Sequence, residues 1–326
     1  MKILLLRFSS IGDIVLTSPV LRVLKKQLGA EIHFLTKSAF APVLAPNPYV
    51  DQLWTFERDL SELLPALRQE RFDWVIDLHR NLRSLRVKWA LRRPSRSFNK
   101  LNIEKWLLVQ TGIDRLPRQH IVHRYLQAVA HLGVRYDGEG LDYFIPPDQE
   151  CEPASLSPQL AKGYIAFVIG ATHATKRLPE SKIIDVCRAL RQPVVLLGGA
   201  AEAETGARVA AAAGPHVVDL CRRLSLHQSA SMVRQASQVI THDTGLMHIA
   251  AAFRKPVVSL WGNTVPAFGM YPFYPDGMDR NLSLEVPGLA CRPCSKIGHK
   301  SCPKGHFKCM NDLNTSQICA ALEAKK

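Results

Sequence analysis

The sequence predicts an α/β protein with two parallel sheets, each covered by helices. Short apolar segments, typical of buried strands, alternate with longer segments of helical periodicity along the chain. In both halves a predicted strand runs into small polar residues and then into a predicted helix. The 326 residues, 47% of them hydrophobic, are also enough to fill two cores of ordinary size.

The first half begins with an apolar strand and an amphipathic helix that stops at Gly29. The loop between them contains Asp13 but lacks the Gly-x-Gly-x-x-Gly fingerprint, which argues against a nicotinamide-dependent oxidoreductase. Alternation then continues, as expected for a parallel sheet with helices on both faces. The predicted strands are 2–8, 31–36, 50–56 and 74–79, and the predicted helices are 12–28, 60–71, 81–93, 103–111 and 120–132.

A proline-rich segment, 146–158, separates the halves and predicts an interdomain linker. The predicted domains are therefore an N-terminal domain at 1–145 and a C-terminal domain at 159–326. In the second domain we predict strands at 164–169, 193–197, 216–220, 238–241 and 256–262, and helices at 200–213, 226–236, 245–253 and 313–322, with a further helix starting near Pro179.

The turn Asp243-Thr244-Gly245 lies between a predicted strand and a predicted helix in the second half. Asp or Thr at a helix start satisfies free backbone N–H groups, and Gly245 lets a ligand approach those groups closely. A strand, a small polar turn and a helix start bind phosphate in α/β proteins. We interpret the turn as a phosphate site, with a purely structural turn as the alternative.

The chain is strongly basic, with 42 Lys and Arg against 28 Asp and Glu and a net charge of +14. Such an excess favours nucleic acid, sugar nucleotides or the cytoplasmic face of a membrane as partners. We interpret part of the most basic stretch as the site of an anionic acceptor or of anionic lipid heads, with a solvated helix face as the alternative. This stretch contains Arg80, Arg83, Arg86, Lys88, Arg92, Arg93, Arg96 and Lys100.

The apolar runs of the sequence predict the compartment of the protein. No apolar run reaches the roughly 18 residues of a membrane span, and Arg7 interrupts the short apolar start, so we expect a cytoplasmic protein.

Near the C-terminus, a Cys-x-x-Cys pair followed by two more cysteines predicts a structural zinc site at Cys291, Cys294, Cys302 and Cys309. His306 is an alternative ligand, and disulfides or free thiols are the alternative to zinc.

Two stretches resemble the signatures of glycosyltransferase family 9, the lipopolysaccharide heptosyltransferases. One is Asp243-Thr244-Gly245-Leu246-Met247-His248-Ile249-Ala250-Ala251-Ala252, followed by Pro256 and Trp261-Gly262. The other is Arg7-Phe8-Ser9-Ser10-Ile11-Gly12-Asp13-Ile14-Val15-Leu16-Thr17-Ser18-Pro19. They lie in the order that the family shows, one in each half of the chain.

The resemblance implies two Rossmann-like domains facing across a cleft, the GT-B glycosyltransferase fold, with the last helix returning to the first domain. The implied activity is inverting transfer of heptose from ADP-heptose to an anionic lipid-linked acceptor, the lipopolysaccharide inner core. The enzyme would then be cytoplasmic and peripheral on the inner membrane.

Glycosyl transfer needs a base for the acceptor hydroxyl and cations or N–H groups for the leaving diphosphate. Asp13 is predicted to be the base, with helix capping as the alternative, and Lys176 and the helix start after Asp243 to hold the diphosphate. The resemblance adds Thr172, Thr244, Gly245, Leu246, Met247 and His248 to the donor site. It also implies a ribose-binding acid, Glu202 or Glu204, and Leu224 in the base pocket, where a core residue is the alternative. The predicted acceptor residues are Ser9, Ser10, Gly12, His79, Arg80 and Arg83.

The sequence contains no Asp-x-Asp pair to hold a divalent ion against a diphosphate. We therefore predict catalysis without a metal cofactor. Two other functions remain as alternatives: a family 9 transferase that uses another sugar nucleotide, and a basic nucleic-acid-binding protein. The second is disfavoured, and no nucleic-acid partner is expected, because the sequence shows no recognised nucleic-acid motif.

Overall fold

The computed structural model describes residues 1–323, which form two compact α/β units. The first unit comprises Met1–Leu101 and Gln119–Phe144, and the second comprises Asn102–Arg118 and the chain from Ile145 onward. The first unit thus ends one residue before the predicted boundary at 145. Residues 102–118, which the sequence analysis assigned to the first domain, group with the second unit.

Within the described residues, the first unit contains a five-stranded parallel sheet of order β3-β2-β1-β4-β5. Its strands are β1 (Lys2–Leu6), β2 (Glu31–Lys37), β3 (Gln52–Phe56), β4 (Trp74–Asp77) and β5 (Ser95–Ser97). The second unit contains a six-stranded parallel sheet of order β11-β10-β9-β6-β7-β8. Its strands are β6 (Ile165–Val168), β7 (Val194–Leu197), β8 (Val217–Asp219), β9 (Gln238–His242), β10 (Val257–Trp261) and β11 (Asn281–Glu285).

Helices connect these strands, so the predicted α/β class is confirmed. The described helices are α1 (Ile11–Val15), α2 (Ser18–Leu28), α3 (Ala41–Leu44), α4 (Leu64–Gln69), α5 (Leu82–Leu91), α6 (Asn102–Thr111), α7 (Ile121–Gln127), α8 (Pro153–Leu156), α9 (Glu180–Ala189), α10 (Ala203–Ala213), α11 (Leu226–Gln235), α12 (Gly245–Ala252), α13 (Lys308–Asn311) and α14 (Thr315–Glu323). Among them, no helix is long and apolar enough to cross a membrane.

Three sequence expectations differ from the structure. The helix predicted at 12–28 is two helices, because Pro19 in the first turn of α2 cannot donate the hydrogen bond that a continuous helix would need. Strands β5 and β11 were not predicted, because both lie at sheet edges and neither is a buried apolar run. The last helix, α14, packs on α9 and β10 of the second unit rather than returning to the first domain.

The segment predicted as a linker is fixed to the second unit by polar contacts. Glu150 accepts hydrogen bonds from Arg234 at 2.6 Å and from the Ser231 hydroxyl at 2.7 Å, both on α11. The same hydroxyl accepts one from the backbone N–H of Cys151 at 3.0 Å. The prolines of segment 146–158 lie in or beside short helical turns. The segment is therefore packed on the second unit and is not a flexible linker.

Both sheets have the strand order of doubly wound Rossmann folds, in which the chain winds outward in both directions from a central strand pair. The central pairs are β1 with β4 and β6 with β9. At these pairs the two following loops diverge, which opens a crevice at the carboxyl ends of the strands. The loops predicted to carry Asp13 and His79 follow β1 and β4, and those predicted to carry Lys176 and Asp243 follow β6 and β9.

A buried arginine ties α2 to the end of the first unit. The Arg22 side chain is 2% exposed and binds both carboxylate oxygens of Asp137, at 2.7 and 2.8 Å. It also binds the Asp142 carboxylate and donates to the Gly140 carbonyl at 2.9 Å. Segment 137–142, which has no regular secondary structure, is thereby fixed to a helix.

Replacing Arg22 with Ala should lower the free energy of unfolding by roughly 2–3 kcal/mol, because two partly buried carboxylates lose their cation. Urea denaturation measures this loss. Lys25→Ala is the matched control on the same helix: Lys25 pairs with Asp51 at 2.6 Å, and both side chains are about a third exposed, so the loss of this pair should cost less than about 1 kcal/mol. Equal losses in the two variants would contradict a structural role for the buried cluster.

Candidate active site

Arg7 organises the crevice of the first unit. It directly follows β1 and is buried, with its side chain 9% exposed. Its Nε donates to the Ser9 carbonyl at 2.7 Å and its Nη1 to the Leu78 carbonyl, beyond β4, at 2.6 Å. Its Nη2 lies 2.7 Å from Asp13 Oδ1, and its guanidinium carbon lies 5.9 Å from the centre of the buried Tyr125 ring. One side chain therefore joins both central loops to α1.

Asp13 lies in the first turn of α1, with its side chain 20% exposed. While Oδ1 faces Arg7, Oδ2 accepts hydrogen bonds from the Ser10 hydroxyl at 2.9 Å and from the Ser10 backbone N–H at 3.3 Å. Asp13 is the third residue of α1, and its carboxylate accepts hydrogen bonds from the N-cap residue, Ser10, as in a capping box. Both carboxylate oxygens are therefore oriented. Capping and chemistry are therefore compatible for this residue.

Asp77, at the end of β4, shapes the second loop of this crevice. Its side chain is 1% exposed; Oδ1 accepts from the backbone N–H groups of His79 and Arg80, at 3.0 and 2.6 Å. Its Oδ2 accepts from the Ser84 hydroxyl at 2.8 Å and lies 3.0 Å from Lys88 Nζ. Asp77 is not among the predicted site residues, although a carboxylate that ends a buried strand is a usable signal.

His79 is neutral at physiological pH. Burial, together with the charges of Arg7 and Lys100, lowers the pKa of His79 to about 4. Its ring packs against Phe8 with the ring centres 4.8 Å apart, and its Nδ1 is buried without a hydrogen-bond partner among the described residues. His79 therefore contributes an uncharged imidazole ring to this crevice.

The other residues predicted to contact an acceptor differ in exposure. Ser10, Arg80 and Arg83 are exposed, Ser9 is half-buried and Gly12 is buried. Arg80 Nη1 donates to the Phe98 carbonyl at 3.2 Å, which holds this guanidinium beside its loop. Gly12 therefore contributes backbone packing, whereas the exposed members present polar groups to solvent.

In the second unit, Lys176 and Asp243 form an ion pair across the central strands. Lys176 Nζ lies 2.6 Å from Asp243 Oδ2, and the two side chains are 16% and 12% exposed. The hydroxyl of Thr264, just beyond β10, donates to the same carboxylate oxygen at 3.0 Å. Spacing did not predict this pair, since 67 residues separate its members.

Helix α12 begins beside this pair. Thr244 is its N-cap residue, and the first-turn N–H groups of a helix have no partner within the helix. Thr244, Gly245 and Leu246 are half-buried, whereas the side chains of Met247 and His248 are buried. Both buried residues were predicted as donor-binding, and this role stays a prediction; Met247 also offers a first-turn backbone N–H group to a ligand.

The structure separates the two candidate acids, Glu202 and Glu204. Glu202 is buried, lies 3.2 Å from Arg177 and accepts from the Gly199 N–H at 2.9 Å, beyond β7. The side chain of Glu204 is 93% exposed on α10 and lies 3.8 Å from Arg208. Glu202 therefore belongs to the loops at the carboxyl edge of the sheet, and Glu204 does not. Thr172 is exposed on the loop after β6, and Leu224 is half-buried before α11.

The cysteine-rich segment supports the loop that carries Lys176. The hydroxyl and backbone N–H of Thr175 donate to the His299 carbonyl at 3.2 and 3.3 Å, and the His299 N–H donates to that hydroxyl at 2.8 Å. A Cβ atom on Gly262 would lie 2.5 Å from the Thr175 carbonyl oxygen and 2.8 Å from Met310, so only glycine permits this approach. Arg292 donates to the Gly262 carbonyl and, at 2.9 Å, to that of Thr264.

No disulfide bond joins any of the eight cysteines, all of which lie in the described residues. Burial, followed by the neighbouring thiols of Cys294, Cys302 and Cys291, raises the pKa of Cys309 to about 11. Cys291 Sγ lies 3.8 Å from His306 Nε2. Within residues 1–323, however, no three His, Cys, Asp or Glu side chains are arranged to hold a metal ion. The zinc site stays a prediction from the spacing of its four cysteines in the sequence.

Comparison with known proteins gives a consistent result. The model of glycosyltransferase family 9 (heptosyltransferase) matches residues 61–296. Lipopolysaccharide heptosyltransferase 1 of Pseudomonas aeruginosa is 28% identical, and the match covers 99% of this chain and 98% of that protein. A family 9 glycosyltransferase structure from Veillonella parvula has a TM-score of 0.76 at 22% identity, covering 99% of this chain and 96% of that one. An ADP-heptose lipopolysaccharide heptosyltransferase II structure from Escherichia coli has a TM-score of 0.73 at 20% identity, covering 100% and 98%. The fold is thus GT-B, as predicted.

Elemental analysis of protein purified without added metal should find about one zinc per chain, the stoichiometry of a single four-ligand site. A Cys294→Ser variant should lose the metal because a thiolate ligand is removed, while Cys151→Ser, outside the cluster, should keep it. Absence of metal from the unmodified protein, together with four titratable thiols in the cluster, would exclude the site.

Proposed function

The chain belongs to glycosyltransferase family 9, and we propose that it transfers heptose from ADP-heptose to a lipopolysaccharide inner-core acceptor with inversion at the transferred carbon. The proposal rests first on the Asp13 carboxylate, which is oriented by Arg7 and Ser10 at the carboxyl edge of the first sheet. It is further supported by the name of the Pseudomonas relative, a lipopolysaccharide heptosyltransferase, and by the ADP-heptose named for the Escherichia coli structure.

In this mechanism Asp13 is the general base. Inverting transfer needs a carboxylate that removes the acceptor hydroxyl proton as that oxygen attacks the sugar. Because Arg7 and Ser10 fix the two carboxylate oxygens, the base does not have to reorganise when the acceptor binds. Arg7 is permanently charged and therefore acts as a positioning residue, not as a proton donor.

The acceptor is proposed to contact the same crevice. The hydroxyls of Ser9 and Ser10 and the neutral His79 ring offer hydrogen bonds to sugar hydroxyls, while Gly12 keeps the loop backbone close to them. Arg80 and Arg83 offer positive charge, which suits the anionic groups of an inner-core acceptor. Since the acceptor is lipid-linked, the enzyme is proposed to work as a cytoplasmic protein bound peripherally to the inner membrane.

The donor diphosphate is proposed to bind at the second central strand pair. Lys176 and the first-turn N–H groups of α12 would stabilise the charge that develops on the leaving ADP, with Thr172 and Thr244 as hydroxyl contacts. Asp243 holds the Lys176 ammonium in place before the donor binds. This arrangement supplies the charge stabilisation that a divalent metal provides in other transferases, so we propose metal-independent catalysis.

The nucleoside is proposed to lie against the neighbouring loops. Glu202 is the preferred ribose-binding acid, because it lies at the carboxyl edge of the sheet, whereas Glu204 faces solvent. Leu224 is proposed to line the base pocket. A family 9 transferase with a different sugar nucleotide remains the alternative.

A Lys176→Ala variant should bind ADP about ten- to a hundredfold more weakly, because one charge-assisted hydrogen bond to the diphosphate is lost. In thermal-shift titrations, ADP should raise the melting temperature of the unmodified protein more than UDP, GDP or CMP do. Lys162→Ala, which removes an exposed lysine of the same unit, should bind ADP normally. If ADP stabilises Lys176→Ala as strongly as the unmodified protein, Lys176 does not contact the diphosphate.

An Asp13→Asn variant should lose turnover by roughly 10²–10⁴-fold, since the amide cannot accept the hydroxyl proton. Turnover is measured with ADP-heptose and an inner-core acceptor, and NMR of the product reports the configuration at the transferred carbon. ADP affinity should be unchanged, because the proposed diphosphate contacts belong to the other unit.

Asp73→Asn is the matched control for Asp13→Asn, because it makes the same change at an exposed aspartate just before β4, at the opposite edge of the same sheet. It should keep normal turnover. Asp13→Asn should also be less stable than the unmodified protein by about 1–3 kcal/mol, because buried Arg7 loses its anionic partner. Turnover near normal in folded Asp13→Asn protein would remove Asp13 from the mechanism.

A further inference from the structure

Helix α5 exposes large apolar side chains on one side. Leu82 is 84% exposed, Trp89 83% and Leu85 50%. Their spacing places them in one stripe along the helix. The opposite side of α5 packs into the first unit through Ser84, Val87 and Leu91. Apolar residues therefore lie on both sides of α5, and within the described chain only one of these sides is covered.

The exposed stripe borders a groove between α4 and α5. The groove has a volume of about 850 Å³ and is also lined by Leu64 and Arg68 of α4. Large exposed apolar surfaces with polar rims are typical of sites that contact another molecule or a membrane. The stripe and its groove form one apolar surface, which we call the α5 face.

Positive charge surrounds the α5 face. No Asp or Glu occurs between Asp77 and Glu104, whereas this stretch contains eight Lys and Arg residues. Arg83, Arg86 and Arg93 are exposed. Among these three arginines, Arg86 lies 3.9 Å from Asp59 in a pair that is about 60% exposed on both sides, so Asp59 offsets little of the charge. Asp77 pairs instead with Lys88, at 3.0 Å.

We propose that the α5 face docks onto an anionic lipid bilayer, with Leu82, Leu85 and Trp89 in the headgroup region and the arginines against lipid phosphates. This inference deepens the proposed function and rests on it, since a lipid-linked acceptor would lie in such a surface. Tryptophan is favoured at membrane interfaces, and basic residues are attracted to anionic lipids. A second copy of the chain is disfavoured as the occupant, because it would bring two equally basic surfaces together.

Co-sedimentation with lipid vesicles tests the proposal. The unmodified protein should bind vesicles made of equal amounts of phosphatidylcholine and phosphatidylglycerol, and binding should weaken as salt is added. It should not bind vesicles of phosphatidylcholine alone. No binding to the anionic vesicles would overturn the proposal.

Two variants separate the apolar and charged contributions. Trp89→Ser should weaken vesicle binding severalfold through lost apolar burial, and Arg86→Glu with Arg93→Glu should weaken it by about tenfold or more. These positions are exposed, so the melting temperatures should be nearly unchanged. Ile297→Ser, which changes another exposed apolar residue, and Lys162→Glu with Arg191→Glu, which change the net charge equally elsewhere, should bind vesicles normally.

The failure of this proposal can be told apart from failure of the proposed function. Trp89→Ser should retain normal turnover on a deacylated, water-soluble acceptor. None of the three side chains proposed to enter the bilayer, Leu82, Leu85 and Trp89, is a proposed catalytic or acceptor-binding residue. If no variant transfers heptose but vesicle binding follows the α5 face, the proposed function fails and the docking surface stands. If Trp89→Ser binds vesicles like the unmodified protein, or instead abolishes a dimer seen by light scattering, the α5 face is not a membrane surface.

Discussion

A buried guanidinium is the constraint on which the geometry of the first unit depends. A charged side chain can stay buried only if its donors are satisfied, and Arg7 meets this condition through Ser9, Leu78 and Asp13. These partners come from the loop after β1, the loop after β4 and the first turn of α1. Satisfying one charge therefore fixes two loops and a carboxylate together, which is why the proposed base is oriented without a ligand.

The second unit reaches a related arrangement with different chemistry. Lys176 and Asp243 pair across the central strands, and Thr264 adds a third element to the same carboxylate. An ammonium is a compact charge that can turn toward a new anion, whereas the fork of an arginine is committed to several acceptors at once. Arg7 is therefore suited to holding Asp13 in position. Lys176 is suited to leaving Asp243 partly and binding an anionic ligand.

The sequence was sufficient for what depends on local periodicity and on topology. Alternating strands and helices predicted two parallel sheets, and the loops that follow the central strands held most of the selected residues. Properties set by tertiary packing could not be predicted in this way. Glu202 and Glu204 lie two residues apart, and only the fold turns one inward. His248 belongs to a signature, but its burial follows from how α12 packs. In the sequence, Arg7 is only the residue that ends an apolar run; its role could not be predicted, because two of its partners, Leu78 and Asp13, lie in other elements.

The support of the Lys176 loop by the cysteine-rich segment has a consequence for how the protein is made. Thr175 is held by His299, 124 positions later in the chain, and Gly262 packs against Met310. During synthesis, the loop that contains Thr175 leaves the ribosome long before His299 and Met310 have been added to the chain. The first unit has its partners for Arg7 at hand early, because they all come from the first part of the chain. The second unit acquires its final loop structure only after His299 and Met310 have been synthesised, so the two units mature at different times.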